Sequence, residues 1–244
     1  MKASNSLTYF TYSKNIVSSL VFIFPFLIVY ETICFLYFRS SSFQIRNSAD
    51  VLLKQFFDIF GVYSNHYYAL TLLAIIIFIF FINKGVKFIN IVDFKYLFLM
   101  FSEGILYGFL LFVMLNNLTY FDSNIFIYQN NLLLNLYLSI GAGIWEEILF
   151  RLFLFTGIMK ISKLWFKLDF YSLFFSVILS SFVFSSFHYI GANSDVFHIY
   201  SFIIRFLGGV FLSLLYFYRG FGITAMCHIS YDFILISLPV IYTN

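Results

Sequence analysis

Residues 132–155 read LLLNLYLSIGAGIWEEILFRLFLF. The run is apolar enough and long enough to cross a hydrocarbon core, which takes about 20 helical residues, yet it holds two adjacent acids, Glu146 and Glu147, and Arg151. A charge at the centre of a spanning helix costs about 2.5–3.5 kcal/mol, and each Leu, Ile or Phe contributes about 0.3–0.6 kcal/mol in return. The fourteen Leu, Ile and Phe residues from 132 to 157 therefore contribute about 4–8 kcal/mol against about 8–10 kcal/mol for three charges. Alone, such a helix is marginal. Its polar groups must face a protein interior or a water-filled cavity.

The rest of the chain sets the class. Of 244 residues, 62% are hydrophobic and 10% charged, against about 25% charged in a soluble domain. The fold class is all-α: a polytopic integral membrane helix bundle, its partner the lipid bilayer. Seven candidate spans fall at 15–38, 67–83, 96–116, 132–157, 170–189, 199–218 and 221–241. The first follows Lys2 and Lys14 without a small-residue cleavage site and reads as a retained span. Residues 50–60 carry Asp50, Lys54 and Asp58 one helical turn apart, the pattern of an amphipathic interfacial helix. We divide the chain into an N-terminal part, 1–95, and a core, 96–244.

With the N-terminus inside, nine lysines and arginines fall on the cytoplasmic side and three, Arg39, Arg46 and Lys54, outside. This bias favours a cytoplasmic N-terminus. It also accounts for the formal charge of +3, so nothing points to nucleic acid. The Ile, Asn, Lys and Phe bias is that of an AT-rich, bacterial coding sequence, which places the chain in an inner (plasma) membrane. Cys34 and Cys227 lie in apolar runs and form no disulfide framework.

Spacing separates the three charges. Glu147 and Arg151 are four apart with the acid first, the favourable order for a bracing pair on one helix face. Glu146 points about 100° away, with no basic residue within a turn. Gly141 and Gly143 allow a neighbouring helix to come close.

Two histidines sit in short polar patterns. Phe184 and His188 are four apart, so the ring can pack beside the imidazole and restrict it. His228 and Asp232 are also four apart, so the acid can hydrogen-bond the imidazole and fix its tautomer. His66 and His198 lie at helix ends, where an ordinary amphipathic role is expected. A carboxylate and two histidines from three apolar helices can activate water and hold an oxyanion. The same Glu146, His188 and His228 can instead ligate one divalent metal such as zinc, so the cofactor is either none or that ion.

These motifs resemble a known family. The run EEILFR (146–151) resembles the E-E-x-x-x-R motif of the CPBP intramembrane proteases, the CAAX proteases and bacteriocin-processing enzymes also called the Abi family. The stretch from Phe184 to His188 resembles its F-x-x-x-H motif, and that from His228 to Asp232 its H-x-x-x-[ND] motif, with Asp where the prenyl-protein branch has Asn. The resemblance covers about 96–244. It implies that Glu146 and His188 activate water, that His228 and Asp232 stabilise the oxyanion, and that Glu147 and Arg151 support them, with either a metal-dependent or a metal-free mechanism. It implies an intramembrane endopeptidase acting on a membrane-associated peptide or protein. The alternative is a non-enzymatic immunity or scaffold protein.

Glu31, Glu103 and Arg205 also interrupt apolar runs; Arg205 can join an interhelical ion pair or receive a substrate carboxylate. One conflict follows from straight helices. Glu146 falls near mid-membrane, His188 near the outer end of its span and His228 about 10 Å from the inner face. Breaks at GANSD (191–195) or RGFG (219–222) are expected to bring them together.

Overall fold

The computed structural model describes residues 8–37, 46–59, 92–116, 131–166, 168–191 and 194–243. Among them the regular structure is entirely helical. The helices are α1 (Tyr9–Lys14), α2 (Ile16–Tyr37), α3 (Ser48–Ile59), α4 (Phe94–Asn116), α5 (Leu132–Gly141), α6 (Thr156–Trp165), α7 (Asp169–Phe187), α8 (Ile199–Arg219) and α9 (Phe221–Thr243). Two π-helical segments, π1 (Ala142–Glu146) and π2 (Ile148–Phe155), join α5 to α6 in one continuous rod.

Four helices, Ile16–Leu36, Phe94–Asn116, Asp169–Phe187 and Ile199–Arg219, are long and apolar enough to cross a membrane, and Phe221–Ser237 is a shorter apolar stretch. The chain is a multi-pass membrane protein. The expected span at 67–83 and His66 lie outside the described residues.

Small residues set the packing around α9. Gly104 and Gly108 of α4 are filled by Met226 and by Cys227 and Ser230, and a Cβ at either glycine would come within 2.7 Å of those atoms. This is close helix–helix contact of the kind favoured in membranes, where dispersion and not hydrophobicity drives association. On another face of α9, Gly143 of π1 lies against the Ala225 carbonyl and the Ile229 backbone N. Glu146 and Glu147 follow within a turn, and so are delivered beside His228.

The break at 219–222 resolves the conflict in depth. Gly220 takes φ +86°, a conformation open to glycine at little cost, and ends α8 so that α9 can start at once. Gly222 then meets Met100, about 9 Å beyond the start of α4 at the helical rise. Reading α9 as starting level with α4 places His228 too shallow.

The segment 50–60 is helical as expected, but its charges do not all face outward. Asp50 is fully buried. Its Oδ2 accepts from Arg46 at 2.8 Å and from the Tyr30 hydroxyl at 3.2 Å, while Arg46 also pairs with Glu31 at 3.2 Å. Tyr30 stacks on Tyr137 of α5, with centroids 4.6 Å apart. A buried polar cluster thus ties α3 to α2 and α5.

Candidate active site

Five of the seven residues singled out in the three motifs are buried outright, Glu146, Glu147, Arg151, Phe184 and His228, and they come from three different parts of the bundle. Glu146 and Glu147 lie on the π-helical rod, Phe184 and His188 at the end of α7, and His228 and Asp232 on α9. The π geometry matters locally. The Thr156 backbone N–H bonds the Arg151 carbonyl five residues back, the wider i→i+5 winding that recurs at functional sites. Wider winding turns less per residue than the 100° expected of an α-helix, so the two adjacent acids both reach α9.

His228 is the point of convergence. Its Nδ1 is 2.7 Å from Glu147 Oε1, and its Nε2 is 3.5 Å from Asp232 Oδ2 and 3.9 Å from Glu146 Oε2. The expected tautomer-fixing partner was Asp232; Glu147 takes that position, because the rod brings its carboxylate to the far side of the ring. Glu147 still pairs with Arg151, whose Nη1 is 2.9 Å from the same Oε1. That contact is ionic in distance without hydrogen-bond alignment. The Arg151 guanidinium lies 4.4 Å from the centre of the Phe184 ring and reaches the Gly209 carbonyl at 3.4 Å.

Phe184 also sets both imidazoles edge-on, His188 at 5.1 Å and His228 at 6.0 Å between centroids. His188 Nδ1 is 3.0 Å from the Phe184 carbonyl. A carbonyl only accepts, so Nδ1 carries the proton and Nε2 keeps a lone pair. His188 lies just past the end of α7, where burial pulls its pKa below the ordinary value, with the Glu146 charge opposing.

Two cavities meet at Glu146 and His188. The inner one, about 190 Å³, is lined by Glu146, His188, His228, Asp232 and Arg205 among apolar groups such as Leu115 and Leu212. The outer one, about 460 Å³, runs between α3 and the residues Phe187, Ile190, Gly191, Ser194 and Asp195, and has Glu146 and His188 in its wall. Glu147 and Arg151 line neither and sit behind His228.

Arg205 pairs with Asp195 and stacks over Tyr189 at 5.3 Å. Its Nη1 has no hydrogen-bond partner among the described residues. His198 is exposed at the start of α8. Sequence reasoning missed Asn47, whose Nδ2 donates to Glu146 Oε1 at 2.8 Å. An Asn just before an amphipathic segment signals a helix cap, but nothing local signals a partner 99 residues away.

Among the described residues no group of three or more His, Cys, Asp and Glu side chains is arranged to hold a metal. Glu147 and the Phe184 carbonyl each face the Nδ1 of one imidazole, which leaves Nε2 of His188 and of His228 as the nitrogens turned to other partners.

Residues 128–234 match the family described as type II CAAX prenyl endopeptidase Rce1-like. That stretch, under half of the chain, is similar to the core of the CPBP family. That match contains every motif residue of the site, Glu146 to Asp232, and leaves α1 to α4 outside it. The family so matched is one of intramembrane CAAX-type endopeptidases. No curated protein and no solved structure is similar enough to count as a match.

Proposed function

We propose that the protein hydrolyses a peptide bond of a membrane-associated peptide or protein with water activated by Glu146 and His188. The observation that carries this reading is that Glu146, His188, His228 and Asp232, from three separate helices, line one cavity while Glu147 and Arg151 brace it from behind. A carboxylate that accepts a proton beside an imidazole with a free Nε2 is the equipment of general-base catalysis.

The steps follow from that placement. Water in the cavity gives a proton to Glu146 as its oxygen attacks the scissile carbonyl carbon. The carbonyl π pair moves to oxygen, and His228 Nε2 donates to that oxyanion. Glu147 accepts from Nδ1, and the charge of Asp232, 3.5 Å from Nε2, favours the doubly protonated ring, so Asp232 acts through His228 while the Nε2 proton is given to the oxyanion. When the tetrahedral adduct collapses, the C–N bond breaks and the proton held by Glu146 passes to the leaving amine. His188 orients the water through Nε2.

The apolar inner cavity suits a hydrophobic side chain or lipid-like group next to the scissile bond, and the wider outer cavity suits the polypeptide and incoming water. Arg205, a cation in the wall of the inner cavity, is placed to receive a substrate carboxylate. A bacterial inner membrane with the N-terminus cytoplasmic fits the charge bias.

The test is turnover of a library of membrane-tethered peptides by protein reconstituted in liposomes, with Glu146→Gln and His188→Ala alongside and thermal stability followed in parallel. Cleavage by wild type that both variants abolish without unfolding supports the reading. Absence of turnover by wild type, or cleavage unchanged in Glu146→Gln, overturns it in favour of an immunity or scaffold role.

A further inference from the structure

We infer that Asn47, the residue preceding α3, is a positioning residue that holds the Glu146 carboxylate for catalysis; this rests on Glu146 being the general base. The Asn47 carboxamide is used at both ends. Its Oδ1 accepts from the Ala49 backbone N–H at 2.8 Å and caps α3, which leaves Nδ2 to donate to Glu146 Oε1 at 2.8 Å. The reverse orientation would set an oxygen against a carboxylate and an NH2 against an N–H, so both contacts select the same rotamer.

The consequence for Glu146 is that its two oxygens differ. Oε1 is held by the amide, and Oε2 is turned toward His228 Nε2 at 3.9 Å. A carboxylate anchored through one oxygen presents the other in a fixed direction, which is what proton transfer within hydrogen-bond reach demands. The anchor is itself fixed. Arg46, next to Asn47, bridges Glu31 of α2 and Asp50 of α3, and Ala49 and Asp50 are fully buried. The Tyr30 and Tyr137 stack then ties this cluster to α5, the helix that continues into Glu146.

Nothing in the family match covers this residue, since the match begins at 128. α3 also forms one wall of the outer cavity through Ser48, Val51 and Gln55. It therefore both shapes the approach to Glu146 and supplies the donor that aims it.

Substitution separates the two ends of the amide. Asn47→Asp keeps a side-chain oxygen for the cap, where Asp serves as well as Asn, but removes the donor and sets a second carboxyl beside Glu146. Asn47→Ala removes both. With full-length protein in liposomes and the most rapidly cleaved tethered peptide as probe, Asn47→Asp should lose roughly ten- to a hundredfold in kcat at neutral pH, with KM close to wild type and a loss well beyond any fall in the folded fraction. Its activity should recover as pH falls, because a protonated carboxyl at 47 can donate to Glu146 again, and wild type should show no such recovery. Asn47→Ala should lose activity at every pH and melt earlier.

A wild-type kcat for Asn47→Asp at all pH values, or losses in both variants that track only the folded fraction, would overturn the inference while Glu146→Gln remains inactive. Cleavage unchanged in Glu146→Gln, or no cleavage by wild type, would overturn the assignment of the base and this inference together.

Discussion

His228 Nδ1 lies 2.7 Å from Glu147 Oε1, and Arg151 Nη1 reaches the same oxygen at 2.9 Å. One carboxylate oxygen thus serves a ring on α9 and a guanidinium on its own rod. The arrangement explains why two adjacent acids are kept in an apolar helix. Glu147 neutralises Arg151 and orients His228, which leaves Glu146 facing the cavity.

Removing one partner of a buried ion pair leaves the other charge uncompensated, at a cost of about 3–5 kcal/mol. Glu147→Ala should therefore strongly destabilise the fold, whereas Glu147→Gln combined with Arg151→Met should recover much of the loss. Unfolding midpoints of the detergent-solubilised protein decide it. Equal midpoints for Glu147→Ala and the double variant would show that Arg151 finds another partner.

The glycines give a second contrast. A Cβ at Gly143 would stand 2.3 Å from Ile229 Cγ1 and 2.8 Å from the Ala225 carbonyl, while one at Gly157 meets nothing within 4 Å. Gly143→Ala should push π1 away from α9, costing about 1–3 kcal/mol by overpacking and displacing Glu146 from His228. Gly157→Ala should be neutral or stabilising by up to about 1 kcal/mol. Similar melting temperatures for the two variants would contradict the close approach.

Much of this was legible in the residues. The apolar runs specified a helical membrane bundle, and the spacing of Glu147 and Arg151 specified their pairing. The convergence of Glu146, His188, His228 and Asp232 on one cavity was expressed in the three motifs but not in straight-helix arithmetic, which placed them at different depths. That arithmetic failed because Gly220 starts α9 level with Met100, a tertiary register that no local pattern encodes. The place of Glu147 at His228 Nδ1 was hidden because it is a contact between the rod and α9 across 81 residues of chain, which no i,i+4 pattern encodes. Asn47 was hidden by chain separation alone.

His188 supplies a prediction in pH. Burial holds its folded-state pKa below the ordinary value, Glu146 opposing, while the unfolded chain takes up its proton near about 6.5. Below that pH the unfolded state binds more protons, so stability falls as pH drops toward the folded-state pKa. Between about pH 8 and pH 5, wild type should lose melting temperature more steeply than His188→Gln. Parallel curves would mean that His188 is solvated and titrates alike in both states.

Arg205 offers a test of substrate chemistry. Its guanidinium pairs with Asp195, and the residue lines the inner cavity. A charged hydrogen bond contributes about 1.5–3 kcal/mol, so Arg205→Gln should raise KM roughly ten- to a hundredfold for tethered peptides whose free C-terminal carboxylate lies close to the scissile bond. The same peptides with amidated C-termini should already bind weakly to wild type and should lose nothing further in the variant. Arg205→Lys should restore charge but not the planar two-point contact, and so rescue KM only in part. Equal losses for acid and amide peptides would assign Arg205 to holding Asp195, with no part in choosing the substrate.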